Sequence, residues 1–313
     1  MYPTEATSPL NTTPSSAASP DNITPDSDCL LNRPYFSRNE TEYYMALSRG
    51  SIPKTKEAVI RIQSCNFIRA MGEKLGLYPS EYDNYSNDAI SSILLVPSIK
   101  RVSVKCKDLS PQCFDISTTC VFVASKIEET YKKLKDILVA AYNVRHPLGP
   151  DINPDGQTLE EQRRRIIGYE RLVLENIRFD FRIQQPHKFL VKFIKRLGGD
   201  KTLARKAWAI VNDAYKTTAC LRFPAHVMAA ASLWLAAKLL HMDFPPIMAD
   251  GMKWTKLFCC KADDIEEICH AILDIYMEPS GNADDPANAE FIRIKIILNQ
   301  QAEARGAIAC KEP

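Results

Sequence analysis

An all-α protein made of two tandem helical bundles is what this sequence predicts. Apolar residues recur at helical spacing from about residue 50 onward. Two stretches, residues 116–127 and 224–241, are apolar nearly all round, as in a helix at the centre of a bundle. The two stretches are also alike: with Lys126 set over Lys238, VFVAS lies over LWLAA. Amphipathic segments flank each, so the chain reads as two copies of a compact bundle of about 100 residues.

Residues 1–32 form a Ser/Thr/Pro-rich tail with no Lys or Arg through residue 28. Such a segment has too little apolar surface to offset its ordering entropy, so disorder is expected. Its Ser8-Pro9, Thr13-Pro14, Ser19-Pro20 and Thr24-Pro25 pairs read equally as proline-directed phosphorylation sites or as plain low complexity. Ile60, Phe67, Ile68, Met71 and Leu75 then share a helical face, and Gly76 ends it. Residues 78–115 are irregular: Asp88–Leu95 suits a helix that Pro97 interrupts, and Val102, Val104 and Cys106 alternate as in a strand.

Ile116, Cys120, Val123, Ala124 and Ile127 line the first central helix, and Val121 and Phe122 extend its apolar surface. A short helix is expected over Lys135–Tyr142, then a Pro- and Gly-containing loop over 145–157. Thr158-Leu-Glu-Glu161 reads as a capping box that opens a helix running to about Ile177. Pro186 opens the second half. Phe189, Leu190, Phe193, Ile194 and Leu197 make a stripe stopped by Gly198-Gly199, and Leu203, Ala207, Ile210 and Ala214 make the next. The second central helix starts at Pro224, and Lys238 and His241 suit its last turn. Ile265, Ile268, Cys269, Ile272 and Tyr276 make one more stripe. From 279 to 313 a Pro- and Asp-rich tail is expected to be helical only around Phe291–Gln300.

Composition bounds the function. The chain has 313 residues, 45% hydrophobic and 25% charged, enough to bury a core without disulfides or metal. A net charge of +2 gives no basic field for nucleic acid. No apolar run reaches about 18 residues, and no basic segment followed by an apolar core opens the chain, so neither a membrane span nor a secretory signal is expected. The ten cysteines lie mostly in apolar helical patterns, as in a reducing compartment. Cys259, Cys260, Cys269 and His270 could be drawn together as a zinc site, but Cys269 reads as core. No Gly-rich phosphate loop is present, and the five His are dispersed. No catalytic constellation, cofactor or metal is expected.

CVFVASKIEETYKKLKDIL in the first half and PAHVMAAASLWLAAKLL in the second resemble the two repeats of a cyclin. YERLVLENIRFDF followed by QQPHKFL resembles the passage from the first repeat to the second. EETYKKLKDIL and AWAIVNDAYKTTACLRFPAHVMAAA are closer to transcriptional cyclins than to cell-cycle ones. RPYFSRNE and RRRIIGYERLVLENIRFDF narrow the likeness to the fungal beta subunits of the kinase for the RNA polymerase II C-terminal domain. The resemblance covers about residues 33–278 and implies the cyclin box fold, with repeats over 33–183 and 184–278. Residues 78–115 depart from it, as an insert or a misjoined exon would. VIRIQSCNFIRAM lacks the residues of a cell-cycle docking groove.

Two charges stand out in apolar stripes. Lys126 follows Phe122 by four and precedes Glu129 by three, and Glu170 follows Ile166 by four and precedes Leu174 by four. A carboxylate so placed needs a partner. From the residues alone, an internal Lys126–Glu170 bridge or two solvated charges would serve. The resemblance implies more: Phe122, Lys126, Ile127, Glu129, Glu170, Leu174, Phe179 and Phe181 would bind a cyclin-dependent kinase catalytic subunit beside its mobile regulatory helix. Lys238 would face inward. It also implies a nuclear, non-enzymatic regulatory subunit, with the polymerase tail as the kinase's substrate. A third regulatory subunit is left open, and no direct nucleic acid or membrane contact is expected. Two other classes stand beside this reading. A doubled helical transcription-factor core on promoter DNA would need a basic face and usually a zinc ribbon. A plain helical scaffold would have no kinase partner.

Overall fold

The computed structural model describes residues 35–49, 53–77, 110–130, 132–149, 152–153, 156–177, 179, 181, 184–242, 253–277 and 286–309. Twelve helices and no strand occur among the described residues. The 1–32 tail, the Asp88–Leu95 helix and the alternation at Val102, Val104 and Cys106 lie outside them.

The first half is built from α1 (Arg38–Arg49), α2 (Lys54–Lys74), α3 (Ser110–Ile127), α4 (Leu134–Arg145) and α5 (Gln157–Asn176). The irregular stretch expected to reach Asp115 therefore ends sooner, because Ser110-Pro111 opens α3, and Pro fits a first helical turn. α3 packs on α2, α4 and α5. Ile68, Met71, Cys120, Ala124, Ile137 and Val173 form the core between them, each at most 1% exposed. Ser117, Thr118 and Thr119 are buried in α3 as well. Each hydroxyl donates back to the carbonyl four residues earlier, at 2.7, 2.7 and 2.8 Å, so none is left unsatisfied. Buried Asp115 accepts from Gln162 Nε2 at 3.2 Å and Arg165 Nε at 2.9 Å, which ties α3 to α5.

The second half comprises α6 (Pro186–Leu197), α7 (Lys201–Ala214), α8 (Ala219–Arg222), α9 (Ala225–Leu239), α10 (Trp254–Leu257), α11 (Ala262–Tyr276) and α12 (Pro286–Ala309). Twelve consecutive-turn residues of α9, from Ala225 to Ala237 with His226 excepted, are buried. α6, α7, α11 and α12 surround it. Gly198 stops α6 at φ +66°, where its N–H reaches the Lys195 carbonyl at 3.3 Å.

Two expectations need correction. Thr158 does not cap α5: Gly156 holds the N-cap in extended backbone, the helix begins at Gln157, and Gln157 pairs with Glu161 instead. A capping box does exist at α1, where Ser37 N–H donates to Glu40 Oε2 at 2.7 Å and Glu40 N–H donates to Ser37 Oγ at 3.2 Å. The C-terminal segment is also far more than a partly helical tail. α12 runs 24 residues and sinks Ile294 and Leu298 fully into the second core.

The two halves are joined by specific bonds. Arg61 Nε donates to the Lys216 carbonyl at 2.7 Å, and Cys65 Sγ to that of Tyr215 at 3.8 Å. Before α1, Phe36 N–H donates to the Leu221 carbonyl at 2.9 Å, and Glu267 binds Arg222 at 2.7 Å and Arg38 at 3.8 Å.

Candidate functional site

The last turn of α3 meets the C-terminal half of α5 at the surface, and this brings Lys126 and Glu170 together. Lys126 Nζ lies 2.5 Å from Glu170 Oε1 and 4.1 Å from the centroid of the Phe122 ring, one turn below it on α3. The lysine side chain is 52% exposed and the glutamate 20%. An ion pair so open to water adds about 0–1 kcal/mol to the stability of the chain. Its value is therefore positional: the ammonium is steered by one carboxylate and one ring while half of it stays free for another acceptor.

Apolar groups frame the pair. Phe122, Ile127 and Leu174 are half-buried against the first core. Phe179 and Phe181 are 61% and 45% exposed, with rings 6.5 Å apart and edge-on. Ile167, 48% exposed and three residues before Glu170, joins the same stripe of α5. Sequence reasoning did not count Ile167 in the site; its spacing to Leu174 was the available signal. Glu129 is exposed at the end of α3.

Both helices end on a strained residue. Glu129 has φ +53° and Phe179 φ +56°, left-handed backbone that costs a residue with a Cβ about 1–2 kcal/mol. Each turn satisfies the helix's last carbonyls. Thr130 N–H donates to the Ser125 carbonyl at 3.0 Å, and Phe179 N–H to that of Leu174 at 3.1 Å. The left-handed turn at Phe179 sits where its ring stands out beside Phe181.

The second repeat reproduces the end of α3 with one difference. Lys238 Nζ stands 5.8 Å from the Trp234 ring, again four residues back. His241 has φ +54° at the place of Glu129, and Met242 N–H donates to the Ala237 carbonyl at 2.8 Å. Here, however, α12 closes over the helix end: Arg293 lies 3.4 Å from both the Lys238 carbonyl and His241 Nδ1, and Glu290 4.0 Å from His241.

The cysteines drawn together by sequence are apart in role. Cys269 is buried, its thiol donating to the Ala231 carbonyl at 3.5 Å, and burial pushes its pKa far up. Burial likewise raises the Cys260 thiol to about 12, while Cys259 is exposed. Among the described residues no group of three or more His, Cys, Asp or Glu could hold a metal ion, and no helix is long and apolar enough to cross a membrane.

Known proteins bear on the fold that holds this surface. Residues 185–293 match the family of cyclin C-terminal domains. The chain is 41% identical over 162 residues to CTD kinase subunit beta of Schizosaccharomyces pombe, covering 50% of this chain and 46% of that one. It is 30% identical over 258 residues to human Cyclin-K, covering 78% and 41%, and 30% identical over 249 residues to Cyclin-T1-4 of Arabidopsis thaliana, covering 78% and 44%. The chain thus spans about half or less of the length of these relatives. Its fold matches a chain of the yeast RNA Pol II CTD kinase CTDK-1 complex with a TM-score of 0.66 at 20% identity, covering 84% of this chain and 82% of that one. Residues 185–293 are thus a cyclin C-terminal domain, the chain has the cyclin fold, and it is similar to transcriptional cyclins.

Proposed function

We propose that the chain is the regulatory subunit of a cyclin-dependent kinase that phosphorylates the C-terminal domain of RNA polymerase II in the nucleus. It would itself carry no catalytic group. The observation that carries the reading is the Lys126–Glu170 pair, held half-exposed inside a collar of Phe122, Ile127, Ile167, Leu174, Phe179 and Phe181. An exposed apolar patch around a fixed charge suits a protein partner, with aromatic anchors at its rim. The cyclin repeats would span 33–183 and 184–278, with only the first presenting this surface.

The action is conformational. A kinase is active when its Lys–Glu pair is assembled and its activation loop placed. A subunit that binds the kinase more tightly in that state shifts the population toward it by the difference in affinity. Lys126 would bind an acid or backbone carbonyl beside the kinase's regulatory helix, Glu170 would hold the ammonium in place, and the collar would exclude water. Relatives named for CTD kinase, Cyclin-K and Cyclin-T support the kinase and its substrate. A third subunit stays open. The test is a titration of the cognate kinase against the wild-type chain and the Lys126→Glu, Glu170→Lys and Lys238→Glu variants, read as binding and as kinase activity. Loss in the first two alone supports the reading. Unchanged binding in all three removes it.

A further inference from the structure

On three helices an exposed arginine is answered by a carboxylate one turn away: Arg38 by Glu42 on α1, Arg69 by Glu73 on α2 and Arg171 by Glu175 on α5. α6 contains no Asp or Glu at all. Its Lys188, Lys192 and Lys195 are exposed, and none of the three ammonium groups has a hydrogen-bond or ion-pair partner among the described residues. By helical geometry these positions span about 10 Å along the axis and lie within about 60° of one another around it. They therefore form one row on the face opposite Leu190 and Ile194, which are buried in the second core. Lys188 and Lys192, one turn apart, repel each other, and Lys188 sits in the first turn, where positive charge is unfavourable. The surroundings offer no relief. Residues 186–206 carry seven Lys and Arg and one acid, Asp200, whose carboxylate accepts from the Leu203 N–H at 2.8 Å, while the whole chain nets only +2. Val191, 37% exposed, stands on the same face, three residues after Lys188 and four before Lys195.

We propose that this face of α6 docks an acidic amphipathic helix of a protein partner, with carboxylates one turn apart against Lys188, Lys192 and Lys195 and an apolar side chain against Val191. Charge complementarity selects the occupant: the partner supplies the acids that α6 lacks, at the spacing by which the other helices supply their own. The apolar contact at Val191 excludes water from the middle of the row and strengthens the ion pairs around it. A nucleic-acid strand fits this face less well. The aromatic rings of α6, Phe189 and Phe193, pack against the second core, so the row has no ring on which bases would stack. The partner is independent of the proposed kinase, whose surface lies on the first repeat.

The test uses the full chain without a kinase. A fluorescent helical peptide with glutamates one turn apart around a leucine, and its counterpart with glutamine at those places, are titrated by anisotropy. The chains are wild type, the Lys188→Gln/Lys192→Gln/Lys195→Gln variant and Val191→Ser, with helical content checked by circular dichroism. At low salt the wild type is expected to prefer the glutamate peptide by about tenfold, as three partly exposed ion pairs would give. That preference is expected to shrink as salt is raised, to vanish in the triple variant and to persist when the three lysines become arginine. Val191→Ser is expected to weaken the glutamate peptide several-fold. Equal affinity of the wild type for the two peptides overturns the proposal, as does a preference that survives the triple variant. Unchanged affinity in Val191→Ser overturns the docked helix in favour of a bare polyanion site. Single-stranded RNA that binds this face more tightly than the glutamate peptide overturns it in favour of nucleic acid.

Discussion

Lys126 shows how little a surface ion pair contributes until something covers it. In the free chain the bridge to Glu170 is screened by water, so Lys126→Glu is expected to leave the unfolding free energy within about 1 kcal/mol of wild type. Under a partner the same change strands Glu170 in a desolvated interface at a cost of about 2–5 kcal/mol. The kinase titration is therefore expected to show a loss of roughly 30-fold to several thousand-fold, with Glu170→Lys similar. His187 behaves in the opposite way, as a buried group that already matters in the free chain. Burial lowers its pKa from 6.5 to about 4, against the hydrogen bond from its ring to Asn212 at 2.9 Å. The unfolded chain takes up a proton below pH 6.5 that the folded chain refuses until about pH 4. Stability is thus full above pH 6.5 and falls as pH drops through that window. Its part is about 2 kcal/mol by pH 5. Denaturant midpoints at pH 8 and pH 5 should differ less by that amount in His187→Gln. A slope that is identical in the variant would show that His187 does not titrate in this window.

Among the elements, α12 is the one whose importance to the fold was hardest to foresee. Leu298→Ala is expected to cost about 2–5 kcal/mol, because the side chain is fully buried between α12 and the second core. Ile296→Ala, at a site 51% exposed, should stay within about 0.5 kcal/mol. Chemical denaturation of both variants checks the contrast. The reason α12 was read as a partly helical tail is physical. Its apolar residues Phe291, Ile292, Ile294, Ile296, Ile297 and Leu298 fall on more than one face, so periodicity marks no clean stripe. The central helices were readable for the converse reason, since an unbroken apolar surface leaves few alternatives. The capping box was misplaced because Ser37-x-x-Glu40 and Thr158-x-x-Glu161 are equal as patterns, and only the backbone shows that Gly156 already holds the second helix's N-cap. The Lys126–Glu170 pairing was within reach of sequence, since each charge interrupts an apolar stripe. The left-handed turn at Phe179 was not, because that backbone ordinarily announces itself through glycine or asparagine.

At the scale of the molecule, the proposed regulatory role asks for no apparatus for phosphoryl transfer in the chain itself. Its 11 glycines nowhere form a phosphate loop. Purified to remove trace kinase, it is expected to bind no ATP and turn none over, as read by calorimetry and phosphate release. Turnover that survives that purification would oppose the regulatory reading. The duplication has a further consequence. A doubled fold repeats its surfaces, and the ends of α3 and α9 agree down to the lysine over an aromatic ring and the left-handed residue three places on. Were both ends bare, the molecule would be divalent and could bridge two kinases into a chain of alternating subunits. Arg293 and Glu290 of α12 occupy the second end, so under the proposed function the valency would be one. Mass measurement of the complex at saturating kinase should find a single catalytic subunit per chain.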